Sequence, residues 1–138
     1  MKIFDIHSDT PFELFRNKLP LNNNKTNVSP DKLEEYDSKL FVSAFFSDSN
    51  KTDSECFREF LESSAYYDGL ISESQDNAML CKSPEDILQC AENGKFGVIK
   101  AIEDIRIIES DIDRLQLLYN MADSVIVGRW EGSDALAA

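Results

Sequence analysis

His7 is the only histidine of the chain, and it stands in Asp5-Ile6-His7-Ser8-Asp9 after a short apolar run that opens at Ile3. If that run is a strand, its side chains alternate, so His7 and Asp9 leave it on the same side. An imidazole and a carboxylate aimed at one point are the beginning of a metal site. A third candidate, Glu103, directly follows a second apolar run, residues 97–102. If both strands lie in one parallel sheet, the three groups converge beyond its carboxyl ends, where α/β proteins form their active sites. Zinc and hard divalent ions accept imidazole nitrogen and carboxylate oxygen together. Glu103 has two oxygens and could bridge two ions, an arrangement that activates water and polarises a neighbouring carbonyl. Each residue also has a plain structural reading. Asp9, before Thr10-Pro11, suits a turn in which its carboxylate bonds nearby backbone amides. His7 suits a structural imidazole, and Glu103-Asp104 suits solvated acids at a strand end.

The elements that must position these groups alternate between strand and helix. Residues 3–6 read as the first strand. Pro11, Phe12, Leu14 and Phe15 form either a helical turn or a packed loop, and the Asn-rich stretch 22–30 reads as a loop. Residues 40–46 are nearly continuously apolar, as in a strand buried on both faces of a parallel sheet. A helix is expected over 53–71, with Cys56, Phe57, Phe60, Leu61, Tyr67, Leu70 and Ile71 on one broad stripe and Ala65 less well placed. A short strand follows at 78–80. The next helix is fully punctuated, with Ser83 as N-cap, Pro84 first, Asp86 in the capping position and Gly94 as terminator. After the strand at 97–102, Ser110 caps a helix expected to carry Ile112, Leu115, Leu118 and Tyr119 inward. Residues 124–127 are the last expected strand. Strands separated by helices imply βα units and a parallel sheet, either open and doubly wound or part of a barrel.

Composition narrows the function. The chain has 138 residues, 42% of them hydrophobic, enough for one domain with a core, and no linker divides it. Its net charge is −12, from 14 basic and 26 acidic residues, so nucleic acid and anionic membranes are not expected partners. No signal-peptide core or membrane span is visible, which leads to the expectation of a cytoplasmic protein. Cys56, Cys81 and Cys90 lie in unlike contexts without a Cys-x-x-Cys pair and read as reduced, partly buried thiols. The five glycines never form a phosphate-binding loop, and no Gly-x-Ser-x-Gly elbow exists to recruit His7 into a serine triad.

Asp5-Ile6-His7-Ser8-Asp9-Thr10 resembles the opening motif of the membrane (renal) dipeptidase family of zinc peptidases. Other segments match in the same order. Residues 40–46 resemble the family's second strand. Ser83-Pro84-Glu85-Asp86-Ile87 with Gly94-Lys95 resembles the helix before its glutamate strand. Ala101-Ile102-Glu103 resembles the end of that strand, residues 115–119 the following helix, and residues 130–136 the segment after the next strand. The resemblance implies the N-terminal portion of a (β/α)8 TIM-type barrel, incomplete at about four βα units, as a single partial domain over 1–138. It also implies hydrolysis of dipeptides with two zinc ions. His7 and Asp9 would ligate one zinc, Glu103 would bridge both as the catalytic carboxylate, and a metal-held hydroxide would attack the peptide carbonyl. The family's remaining ligands are two histidines on later strands, and a full barrel takes about 250 residues. The expectation is therefore an N-terminal portion with little activity alone. The alternatives are a non-enzymatic remnant, half of a split barrel that associates through its uncovered edge, or another metal-dependent hydrolase. Two departures stand out: Asp104-Ile105 replaces the usual glycines after the glutamate, and Asp134 replaces a common asparagine.

Overall fold

The computed structural model describes residues 1–108 and 111–122. The expected strand at 124–127, Ser110 and Asp134 lie outside them. Four parallel strands form one sheet: β1 (Lys2–Ser8), β2 (Ser38–Phe45), β3 (Ala78–Leu80) and β4 (Phe96–Ile102). Their order is β1-β2-β4-β3, so the central pair is β2 and β4. The short β3 lies outside β4 and pairs only with its first half, Phe96 to Val98. The helices are α1 (Thr10–Asn17), α2 (Asp53–Glu73), α3 (Pro84–Glu92) and α4 (Ile112–Ala122). Pro11 and the residues after it thus form a helix and not a packed loop. Among the described residues, no helix is long and apolar enough to cross a membrane.

The core lies between the sheet and α1 and α2. Phe41, Ser43 and Phe45 of β2 face the same side as Val98, Lys100 and Ile102 of β4, because partnered residues share a face. Phe41 stacks on Phe96 at 5.0 Å, and Phe45 meets Phe60 and Tyr67 of α2 edge-on. Within this layer, Lys100 Nζ donates to Ser64 Oγ at 2.9 Å and pairs with Asp68 at 2.5 Å. Burial pulls the Lys100 pKa down and Asp68 partly restores it. On the opposite face α3 covers only the entry end of the strands. There Cys90 Sγ crowds Gly97 so closely that a Cβ would come within 2.8 Å of it. The rest of that face stays open at β1, where Phe4 is 60% and Ile6 73% exposed.

Helices α2 and α3 both begin with reciprocal capping. Ser83 and Asp86 form the expected box. A second box, Thr52 with Glu55, starts α2. The Thr52 amide and hydroxyl each donate to Glu55 at 2.8 Å, and these bonds hold its carboxyl below the ordinary value of 4.5. A depressed folded-state pKa contributes stability above the unfolded value, and that contribution is lost as pH falls through the folded value. Thr52→Ala removes the hydroxyl donor to Glu55 but keeps the amide, so its loss of melting temperature should have a part that shrinks as pH falls below 4.5 and a pH-independent part from the lost cap on the Glu55 amide. A loss of the same size at every pH would show that the hydroxyl does not stabilise the carboxylate.

One helix differs from expectation. Among the described side chains of α4 only Leu118 is buried, whereas Ile112 is 80%, Leu115 37% and Tyr119 59% exposed. At 100° per residue these three positions lie about 120°, 60° and 100° from Leu118 around the axis. All three lie to the same side, so the apolar stripe is about 120° wide, and among the described residues it is covered only at its Leu118 edge. The three cysteines are free and buried as expected. Their contexts are less separate than their spacing implies: Cys81 and Cys90 lie near enough to shift each other's ionisation, while their thiols donate to the Met79 and Lys95 carbonyls at 3.8 and 3.4 Å.

Candidate metal centre

Three local features aim the candidate ligands. The first is a β-bulge. Asp5 pairs with Phe41 and Ser8 with Ser43, so three steps along β1 match two along β2. The extra residue bends the strand at Ile6-His7 and re-aims the imidazole. The His7 amide, freed from the ladder, donates to Asp5 Oδ1 at 2.9 Å. The second is the start of α1. Asp9 is its N-cap residue, yet its side chain makes no capping hydrogen bond. The backbone-bonding turn role is thus not what Asp9 does; its carboxylate is turned to the imidazole. The third is the alternation of β4 continued past its end, which places Glu103 on the face away from α1 and α2 (the inner face) and Asp104 on the helix-covered one. The Glu103 amide donates to Phe45 O at 3.0 Å, the last rung between the central strands.

The result is a cluster. His7 Nε2 lies 3.3 Å from Asp9 Oδ1 and 3.3 Å from Glu103 Oε2. One ligand atom from each of the three lies within 4.8 Å of the other two. Ligands at about 2.0–2.1 Å from a tetrahedral zinc stand about 3.3–3.4 Å apart along each edge. The two separations at His7 Nε2 therefore match donors around a shared cation and exceed the ~2.7–2.9 Å of a tight charge-assisted hydrogen bond. Two carboxylates held together also favour a cation between them. His7 and Asp9 keep 54% and 56% of their side-chain surface exposed, so the site is open to solvent. Beside it a recess of about 240 Å³ is lined by Asp5, Glu13, Thr26 and Asn27 as well as His7 and Asp9.

Asp104, the departure noted above, adds no charge to the cluster. It is 1% exposed on the other side of the strand and is gripped by Arg106 through Nε at 3.0 Å and Nη2 at 2.6 Å. Sequence reasoning missed Arg106. The available signal was an Asp-x-Arg spacing directly after the strand.

A parallel sheet with an imidazole and two carboxylates gathered at its carboxyl edge defines an α/β protein whose side chains there could hold a metal ion. The sequence matches the profile of the membrane dipeptidase family (peptidase family M19) over residues 1–133, and the chain belongs to that family. A search of curated proteins gives no match. Among solved structures, the chain resembles a metallopeptidase of family M19 described as dipeptidase AC. The identity is 17% and the TM-score 0.80, over 88% of this chain and 40% of that one. It equally resembles a Rhodobacter sphaeroides metallopeptidase liganded with a phosphinate mimic of the dipeptide L-Ala-D-Ala. That likeness has 15% identity and a TM-score of 0.80, covering 88% and 43% of the two chains. An amidohydrolase from Pseudomonas aeruginosa follows at 12% identity and TM-score 0.64, covering 97% and 35%. The fold is thus that of part of a barrel-type dipeptidase, and the chain spans about 40% of the length of the first of these relatives.

Proposed function

We propose that this chain carries the first part of a zinc-dependent dipeptidase site, with His7 and Asp9 as ligands to one ion and Glu103 as a carboxylate able to bridge to a second. The observation that carries this reading is the pair of 3.3 Å separations around His7 Nε2. Two zinc ions are the cofactor this lineage implies. A divalent ion held there supplies Lewis acidity, lowering the pKa of water and polarising a carbonyl. The chain's own residues do the rest. The bulge at Ile6-His7 holds the imidazole in place, and the uncapped Asp9 carboxylate stays available. Glu103, anchored by the Phe45 rung, would present both of its carboxylate oxygens to the ions. The acidic recess lined by Asp5 and Glu13 suits the cationic amino end of a dipeptide.

The chain has no second histidine, so the two imidazoles that the family resemblance calls for do not come from these 138 residues. The 138-residue chain by itself is therefore expected to bind zinc but to turn over dipeptides poorly. A panel of dipeptide, phosphoester and lactam substrates, assayed with the zinc-loaded monomer, tests this. Robust dipeptide hydrolysis by the monomer would overturn the low-turnover expectation, and cleavage of only the other classes would overturn the dipeptidase assignment.

A second reading, half of a split barrel that associates through its uncovered side, is favoured by the exposure of Phe4 and Ile6 on the inner face. Light scattering distinguishes it. A dimer dispersed by Phe4→Ser/Ile6→Ser supports association, and a compact monomer with a cooperative melt contradicts it.

A further inference from the structure

We propose that the Asp104–Arg106 pair is a positioning device for Glu103, locking the direction in which the metal-facing carboxylate leaves β4. Four donor contacts join the two residues. The Arg106 amide donates to Asp104 Oδ1 at 3.0 Å, Nε reaches Oδ1 at 3.0 Å and Oδ2 at 3.1 Å, and Nη2 reaches Oδ2 at 2.6 Å. The rest of the guanidinium is spent on the loop after β2. Nη2 donates to the carbonyls of Ser47 at 3.0 Å and Asp48 at 3.4 Å, and Nη1 to those of Ser49 at 3.4 Å and Lys51 at 3.3 Å. One side chain therefore holds four backbone acceptors of one loop and a carboxylate of the next.

This construction constrains Glu103 from both sides. Its amide is fixed by Phe45 O, and the residue after it is buried in the clamp. Rotating the Glu103 backbone far enough to re-aim its carboxylate would drag Asp104 away from Arg106 and leave a buried charge unpaired. That penalty stiffens the strand end without placing any group in the site. A buried ion pair adds little net stability over apolar residues of similar shape, whereas breaking one side of it is costly. The pair therefore acts on conformation more than on overall stability.

The zinc part of the test rests on the metal reading above; the other part does not. Because His7 is the sole histidine, its side-chain 15N signal is unambiguous and reports its contacts with Asp9 and Glu103. Glu103→Gln sets the metal-free signal for a weakened contact. Arg106→Gln should melt lower than wild type, and Asp104→Asn/Arg106→Gln should regain the part due to the unpaired Asp104 charge, though not the part due to the four loop carbonyls. If the pair positions Glu103, that double variant still moves the His7 signal at least halfway to the Glu103→Gln value and binds zinc about tenfold more weakly. Arg106→Lys keeps the charge but loses the planar fork. It provides the same readout should the double variant melt low, and its His7 signal should shift in the same direction. A wild-type His7 signal in whichever of these variants is folded would overturn the proposal. Failure of the wild-type chain to bind zinc through His7 would count against the metal reading alone, since the metal-free signal still decides the positioning role.

Discussion

Replacing His7 with alanine should weaken zinc binding by the 138-residue chain by about two orders of magnitude or more while leaving the fold intact. Losing a group that merely orients a ligand costs about 10–100-fold in metal affinity, and His7 is itself the nitrogen donor between two carboxylates. What remains is a pair of acids of the kind found all over a chain with a net charge of −12. The fold should not suffer, because more than half of the side chain is in solvent and its contacts are with the other two members of the cluster. Surface changes of this kind usually stay within about 0.5 kcal/mol. Calorimetric titration of Zn²⁺ into wild type and His7→Ala, with melts of both, checks each half. Unchanged affinity would mean that zinc binds among the other acids.

The largest effect on stability should come from Phe41→Ala. Phe41 is 1% exposed in the central strand and stacks on Phe96, itself 1% exposed. Truncating a buried phenylalanine costs about 3–5 kcal/mol through lost transfer energy and an unfilled cavity. Domains of this size are stable by only ~5–15 kcal/mol, so the loss is a large share of the total. It also reaches the site, because β2 lies between the strand that presents His7 and the strand that presents Glu103. Urea unfolding should show a much lower midpoint for Phe41→Ala and almost no change for Leu88→Ala, whose side chain is 64% exposed. Equal midpoints for the two variants would show that the sheet is not held together through this stack.

Much of the candidate site was legible in the order of residues, though not always for the reason that alternation supplies. His7 and Asp9 do meet, but period two alone does not bring them together. A bulge turns His7, and Asp9 already belongs to the start of α1. A bulge depends on pairing with β2, a partner some 35 residues away, so no local pattern announces it. Glu103 was readable because β4 alternates regularly up to its last rung. Asp104 and Ile105 looked like a disturbance of the site; alternation sends Asp104 to the other face, where Arg106 neutralises it. The α3 capping box was readable because Ser83-Pro84-Glu85-Asp86 is a purely local signal. The place of β3 outside β4 was not, since strand order is set by long-range pairing. The exposed side of α4 was misjudged because residues 112, 115 and 119 form a regular stripe, while whether a neighbour covers it is set by tertiary placement and not by the local pattern.

The most direct test of the shared-cation claim is X-ray absorption at the zinc edge on the chain loaded with one equivalent of Zn²⁺. The account predicts one imidazole among light nitrogen and oxygen scatterers at about 2.0–2.1 Å, with the imidazole signature lost in His7→Ala. Sulfur scatterers at about 2.3 Å would place the ion at the cysteines. That result, or an all-oxygen shell identical in wild type and His7→Ala, would contradict it.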